Sequence, residues 1–298
     1  MCGLYFIVKF NEILYNVKYK MTNDKKLENY FKAVRMRLEG ASKNEIIEKT
    51  EFPTWRVLEF FMNQNNLTLP LNKAAFNKNV DVTYFDEINT DAKAYILGFI
   101  YADGCIYDKE RFGFCITEDD SQILEFIKSE MKAENSIVTT HNKKGSVNRK
   151  PQCTLRIGST KLVEKLKTEY GINERKTVRE GLVFPKIDEK LLSAFLRGLS
   201  DGDGNLYFKP NGNLLSKTVF RWTICMTDKP FILSVKEYLE SKGIKLSLIE
   251  KQGKTCKYYV IYTNSKSHTE KLCDILYRTD GFCLQRKKDS YLSFKELR

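Results

Sequence analysis

The sequence predicts an α+β chain: two tandem αββαββα repeats behind a small N-terminal helical segment. Three observations carry this. One unusual stretch occurs twice, as Ala94-Tyr95-Ile96-Leu97-Gly98-Phe99-Ile100-Tyr101-Ala102-Asp103-Gly104 and as Ala194-Phe195-Leu196-Arg197-Gly198-Leu199-Ser200-Asp201-Gly202-Asp203-Gly204, with Gly98 and Gly198 100 residues apart. The chain after each copy repeats too: Cys115 to Lys176 spans 61 residues and Cys225 to Lys287 spans 62. The N-terminal residues lie outside this repeat and carry helical spacing of their own.

Residues 4–20 are expected to form a short hairpin. Met1-Cys2-Gly3-Leu4-Tyr5-Phe6-Ile7-Val8 has no basic region before it and Lys9 interrupts it, unlike a signal peptide. Residues 28–62 read as helical. Tyr30 to Leu38 is amphipathic and stops at Glu39-Gly40. Ser42 is a suitable N-cap for a short helix over Lys43–Lys49. Thr54 caps a third helix, whose apolar positions are Trp55, Val57, Leu58, Phe60 and Phe61, after a turn through Glu51-Phe52-Pro53. Three short helices at this spacing resemble a helix-turn-helix DNA-binding module, with Arg56 and Asn63 as candidate contacts on the third. A small packing bundle is the plain alternative. The module is assigned to 1–70, and an Asn- and Lys-rich linker to 71–88.

Each motif copy is apolar for about two turns, as a buried helix is. Small residues recur four apart, Gly98 with Ala102 and Gly198 with Gly202, and so share a helix face. Glycine costs a helix interior about 1 kcal/mol relative to alanine. Close packing of the two motif helices is the natural reason for it. Gly104 and Gly204 are expected to end the helices in a left-handed conformation. Asp103 and Asp203 then stand in the last turns, against the negative end of each helix dipole and against each other. A divalent cation removes both penalties, and hard oxygen ligands suit Mg²⁺ or Mn²⁺. Asp201 is the weaker acid, because its counterpart is Tyr101.

Past the motif each repeat gives a hairpin ending in Phe114-Cys115-Ile116-Thr117 or Ile224-Cys225-Met226-Thr227. A helix follows over Ile123–Met131 or Phe231–Leu239, then strands that include Thr154–Ile157 or Tyr258–Tyr262. A second helix follows near Lys161–Glu169 or Ser267–Leu276, and each repeat ends on a basic pair, Arg175-Lys176 or Arg286-Lys287. The repeats are assigned to 89–185 and 186–298. The second carries about ten extra residues in its first hairpin, where Lys209-Pro210-Asn211-Gly212-Asn213 is a turn signal. Antiparallel strands with helices on one face leave the other face for a ligand.

A net charge of +12 with 12% aromatic residues suits a polyanion. Eight scattered cysteines without a C-x-x-C pair make neither a disulfide framework nor a zinc site, and read as reduced thiols. Two histidines, His141 and His268, argue against zinc hydrolases and Ser-His-Asp chemistry. No apolar run approaches a membrane span, so no membrane partner is expected.

The two motif copies resemble the LAGLIDADG motif of homing endonucleases, and the resemblance covers roughly residues 89–298 with the αββαββα order of each copy. It implies a monomer with pseudo-twofold symmetry, a central interface of motif helices, and two saddle-shaped antiparallel sheets straddling double-stranded DNA. It implies that Asp103 and Asp203 hold Mg²⁺ or Mn²⁺ between two scissile phosphates, with Lys176 and Lys287 as the nearby basic residues. Base readout falls to Tyr107, Lys109, Arg111, Asn205, Tyr207, Lys209, Lys217 and Arg221. Phosphate contacts fall to the basic tips Lys143, Lys144, Arg149 and Lys150, and to Lys251, Lys254 and Lys257. The unlike halves imply an asymmetric target. An intron RNA maturase and a non-catalytic DNA-binding regulator are the alternatives; the end Lys295-Glu296-Leu297-Arg298 does not fit an intein. The expected location is cytoplasmic or nucleoid-associated, or an organelle.

Overall fold

The computed structural model describes residues 24–38, 41, 43–69, 79–141, 150–178, 180–211 and 214–296. The expected hairpin at 4–20, the Ser42 cap and residues 71–78 of the 71–88 linker lie outside the described residues. The chain divides into two compact units, Met1–Asn77 and Lys78–Arg298.

The first unit holds three helices: α1 (Asp24–Leu38), α2 (Lys43–Lys49) and α3 (Trp55–Gln64). In α1, Leu27, Tyr30, Ala33 and Val34 are buried, an i, i+3, i+6, i+7 stripe on one face. They meet Ile46 of α2 and Leu58, Phe61 and Met62 of α3. Each fully buried large apolar side chain here contributes roughly 1.5–3 kcal/mol. The Tyr30 hydroxyl donates to the Thr68 carbonyl at 2.8 Å, tying the chain after α3 back to α1. Thr54 caps α3, its side chain accepting from the Val57 amide at 3.4 Å. Val57 and Phe60, expected among the apolar core positions, are instead exposed, Phe60 at 64%. Once Leu58, Phe61 and Met62 face inward, 3.6-residue periodicity carries positions 57 and 60 to the outer flank.

The second unit runs α4 (Asp91–Asp103), β1 (Gly104–Ile106), β2 (Arg111–Thr117), α5 (Gln122–Glu130), β3 (Val138–Thr140), β4 (Gln152–Gly158) and α6 (Thr160–Tyr170). It then repeats the order as α7 (Glu189–Asp203), β5 (Gly204–Asn211), β6 (Leu214–Met226), α8 (Lys229–Ser241), β7 (Ser247–Gln252), β8 (Lys257–Thr263) and α9 (Lys266–Leu276), and adds α10 (Gln285–Glu296). Where the second repeat has α10, the first has only a 3-10 turn over Lys176–Val178.

Both sheets are antiparallel, ordered β1-β2-β4-β3 and β5-β6-β8-β7. Phe112, Phe114 and Ile116 of β2 pair with Ile157, Leu155 and Cys153 of β4, and all six are buried against the helices. Trp222, Ile224 and Met226 of β6, with Tyr259 and Ile261 of β8, do the same in the second sheet. The opposite faces carry the alternate residues and stay open. The longer hairpin of the second repeat is realised as extended strands. Asn211 pairs with Leu214, and the register shifts between Lys209 and Asn211, where Pro210 lacks an N–H to give the ladder.

Candidate active site

The site is built on the crossing of α4 and α7. Thr90 and Asp188 start the two helices, their side chains accepting from the Lys93 and Lys190 amides at 3.2 and 3.1 Å. The helices touch backbone to backbone. A Cβ on Gly98 would lie 1.9 Å from the Phe195 carbonyl oxygen, and one on Gly198 would lie 2.0 Å from that of Tyr95. A Cβ on Gly202 would lie 2.3 Å from the Ala102 Cβ. Gly98, Ala102, Gly198 and Gly202 are thus brought together on one seam. Gly104 and Gly204 are not left-handed: φ/ψ is −67°/144° and −89°/153°, both extended. Space explains these glycines instead. Each chain turns straight from helix into strand, so a Cβ would lie 2.6 Å from the Ile100 carbonyl oxygen or 2.4 Å from that of Ser200.

Asp103 and Asp203 end the two helices side by side. The Asp103 carboxylate lies against Gly202, one residue from Asp203. Both line a cavity of about 340 Å³ with Cys105, Asn173, Arg175, Lys176, Cys225 and Tyr258. Burial pushes the Asp203 carboxyl up to about 6, opposed by Lys176 and augmented by Asp103. Desolvation also raises Asp103, opposed by Lys176 and Lys287.

The two lysines occupy matching positions beneath the acids. Lys176 donates to the Tyr101 carbonyl at 2.7 Å and to that of Ala102, at the end of α4. Lys287 donates to the Ser200, Asp201 and Gly204 carbonyls at 2.6, 2.8 and 2.7 Å, at the end of α7. Each cation satisfies orphan carbonyls at the negative end of a helix dipole. Burial lowers both, Lys287 to about 8, while the neighbouring carboxylates pull the other way: Asp203 and Asp103 for Lys176, Asp201 first for Lys287. The sequence reading assigned the dipole penalty to a cation alone; these lysines share that task.

Asp201 is a structural acid. Its Oδ2 accepts from the Tyr95 hydroxyl at 2.9 Å and the Leu284 amide at 2.7 Å, and the residue is buried. Its counterpart Tyr101 donates to the Val183 carbonyl at 2.6 Å. Arg197, at the place of Leu97, is fully buried. It donates to the Leu276 and Phe282 carbonyls at 2.9 Å each, and it pairs with Asp91. Asp228 caps α8 through Phe231 and also accepts from the Gly181 and Leu182 amides at 2.7 and 2.8 Å. Arg286 grips Asp120 with two bonds of 2.8 Å.

The cavity opens between the outward faces of the two sheets, since Cys105 of β1 and Cys225 of β6 both line it. Tyr107, Lys109, Asn205, Tyr207 and Arg221 are exposed there or on the adjoining turn. Arg111 is half-buried and paired with Asp108, which leaves it less available than the sequence reading expected. Lys209 and Lys217 lie on β5 and β6, their side chains outside the described residues, as are Lys143, Lys144 and Arg149 altogether. Lys150 is exposed and pairs with Asp119, and Lys257 with Glu250. Lys251 and Lys254 are exposed on β7 and the turn after it, and Arg56 and Asn63 on α3. The sequence reading missed Arg156, stacked 5.0 Å over Tyr107, and Tyr262, under Arg221 at 5.2 Å. It also missed Asn173 and Tyr258 beside the acids. Period-2 alternation along the recognised strands Thr154–Ile157 and Tyr258–Tyr262 would have found Arg156, Tyr258 and Tyr262.

Among the described residues no three His, Cys, Asp or Glu side chains gather as a ready-made metal cage. Two carboxylates at one point still fit the donor set Mg²⁺ uses, which typically adds phosphate oxygens and water to one or two carboxylates.

Residues 190–276 match the family model of the LAGLIDADG-like domain. That match falls on the second copy of the twice-written motif, whose helix packs against the first copy's as one seam. A search of curated protein sequences finds no match. Among solved structures, the chain is similar to the I-LtrWI LAGLIDADG homing endonuclease bound to target DNA, at 15% identity and a TM-score of 0.45, covering 69% of this chain and 90% of that one. It is similar to mesophilic variants of the homing endonuclease I-DmoI, at 16% and 0.43, covering 64% and 98%. It is also similar to the meganuclease I-AabMI bound to uncleaved DNA, at 15% and 0.44, covering 68% and 90%.

Proposed function

We propose that this chain is a sequence-specific double-strand DNA endonuclease that hydrolyses phosphodiester bonds at a long asymmetric site with a divalent metal. The observation that carries the reading is the pairing of Asp103 with Asp203 in the lining of one cavity, between two open sheet faces, with a half-buried Lys176 behind one helix end and a buried Lys287 behind the other. Net charge of +12 and stacked Arg–Tyr pairs on those faces suit a duplex backbone and its groove edges.

Asp103 and Asp203 would hold the metal. An ion held there would supply Lewis acidity to phosphoryl oxygens and lower the pKa of a bound water, so that hydroxide would be available near neutral pH. The chain's own groups do the rest. The main-chain seam fixes the separation of the two carboxylates. Lys176 and Lys287 hold positive charge close to the reacting phosphates, where negative charge grows on the phosphoryl oxygens and the leaving alkoxide. The sheet faces orient the duplex, and the single chain with unlike halves acts as a monomer on an asymmetric site. The three-helix unit adds a second DNA contact through Arg56 and Asn63 of α3.

The test is cleavage of a randomised duplex library with Mg²⁺, with Asp103→Asn and Asp203→Asn alongside. The expected outcome is one site cut by the native chain and only bound by either variant. Binding without cutting by the native chain overturns the nuclease reading in favour of a regulator.

A further inference from the structure

On each sheet, one row of side chains breaks the polar pattern expected of an open face. In the first sheet, Cys115 of β2 sits opposite Thr154 of β4, which sits opposite Val138 of β3. In the second, Cys225 of β6 sits opposite Val260 of β8, which sits opposite Ile249 of β7. The two rows occupy the same place in the repeat. Cys115 and Cys225 each follow the strand residue, Phe114 or Ile224, that pairs with Gly104 or Gly204 at the end of a motif helix. The inner neighbours Phe114, Leu155, Ile224 and Ile261 are fully buried, so the rows lie on the opposite, open face. Val138 is 57% exposed and Ile249 37%, and both cysteines are exposed.

A one-sided antiparallel sheet ordinarily turns polar residues to this side. Here both copies turn out methyl and thiol groups at one register, although the residues themselves differ. Such groups lack the paired donors and acceptors that read guanine or adenine. They match the one apolar mark on a base edge in the major groove, the thymine C5-methyl. The surroundings suit a duplex: Arg156 and Arg221 flank the rows on the same faces, and Lys251 lies two residues along β7 from Ile249. Strands lie about 4.8 Å apart, so a three-strand row spans roughly 10 Å, or about three base-pair steps of 3.4 Å. Cys225 also lines the cavity that holds Asp103 and Asp203, which puts one end of its row close to the cutting centre.

We propose that these rows select thymine by its methyl group, at matching positions close to the centre in both half-sites. This rests on the DNA-cleaving reading above. The test uses the full chain and a randomised duplex. Selected duplexes are expected to carry thymine at matching offsets on the two sides of the centre. Replacing those thymines with deoxyuridine removes only the methyl, and is expected to weaken binding about fourfold per methyl. Deoxyuridine elsewhere in the site leaves binding unchanged. Val260→Ser with Ile249→Ser, which removes the methyl groups, is expected to abolish the thymine–deoxyuridine difference in the second half-site alone, and Thr154→Val to widen it in the first. A selected duplex that binds equally well with deoxyuridine overturns the thymine assignment and leaves the nuclease reading standing. Failure to select any duplex overturns both.

Discussion

Gly98→Ala sets two forces of known sign against each other. In an isolated helix, alanine at an interior position is favoured over glycine by about 1 kcal/mol. On the seam, the added methyl would lie 1.9 Å from the Phe195 carbonyl oxygen and 2.8 Å from its carbon. Ordinary carbon–oxygen contact begins near 3.3 Å, so α4 and α7 must separate by about 1.4 Å locally. Both partners are main chain, and no rotamer change can relieve the clash. Overpacking of this kind costs about 1–3 kcal/mol and more where nothing yields. With helix propensity offset, a net loss of about 2 kcal/mol is expected. For a unit of this size that lowers Tm by about 4–8 °C. Circular dichroism melts of the full chain measure it, and cleavage at fixed temperature is expected to fall further, because the separation carries Asp103 away from Asp203. An unchanged or raised Tm with cutting intact would refute the claim that the seam is backbone-limited.

Other expectations follow from the charged groups. Asp203 has a folded value near 6 against an ordinary 3.8, so the folded chain binds more protons between those values than the unfolded one. Metal-free stability is therefore greatest below about pH 4 with respect to this group and falls as pH rises through 6, by at most about 3 kcal/mol; Mg²⁺ is expected to restore it above pH 6, which denaturant titrations with and without the ion would check. Asp201→Asn keeps an oxygen for Tyr95 and Leu284 and removes a buried charge, so cleavage is expected to survive it, unlike the Asp103 and Asp203 substitutions. Lys287→Met strands three carbonyls at the end of α7 and is expected to destabilise by about 3 kcal/mol, more than Lys176→Met, which strands two. Equal melting points for the two variants would contradict the capping role.

Much of this was legible because it is periodic or repeated. The seam glycines sit four apart, and strand and helix stretches recur at one offset, so α5, α6, α8 and α9 fall where spacing puts them. What escaped depends on groups distant in sequence. Asp201 and Arg197 look like ordinary motif variation until Tyr95, Leu284, Asp91 and Phe282 are folded around them. Gly104 and Gly204 were misjudged because a glycine that avoids a clash and one that adopts a positive φ look alike in a sequence. Helix α10 was missed because Gln285–Glu296 is polar nearly all round, with Tyr291 its buried anchor against Phe220 and Cys273.

The polar ties between the repeats have a consequence of their own. Asp91 needs Arg197, Tyr95 meets Asp201, Asp120 meets Arg286, and the amides of Gly181 and Leu182 need Asp228. In every case one member lies in the first repeat and the other in the second, and the counterparts of Asp91, Arg197, Tyr95 and Asp201 are Leu191, Leu97, Phe195 and Tyr101, which cannot make the same ties. The halves have therefore become lock and key, and neither can stand in for the other. Two copies of the first half would set Asp91 against Leu97 with no guanidinium, and two copies of the second would bury Arg197 against Leu191 without its acid. A pair of identical subunits made from either half alone would therefore leave these buried groups unpartnered.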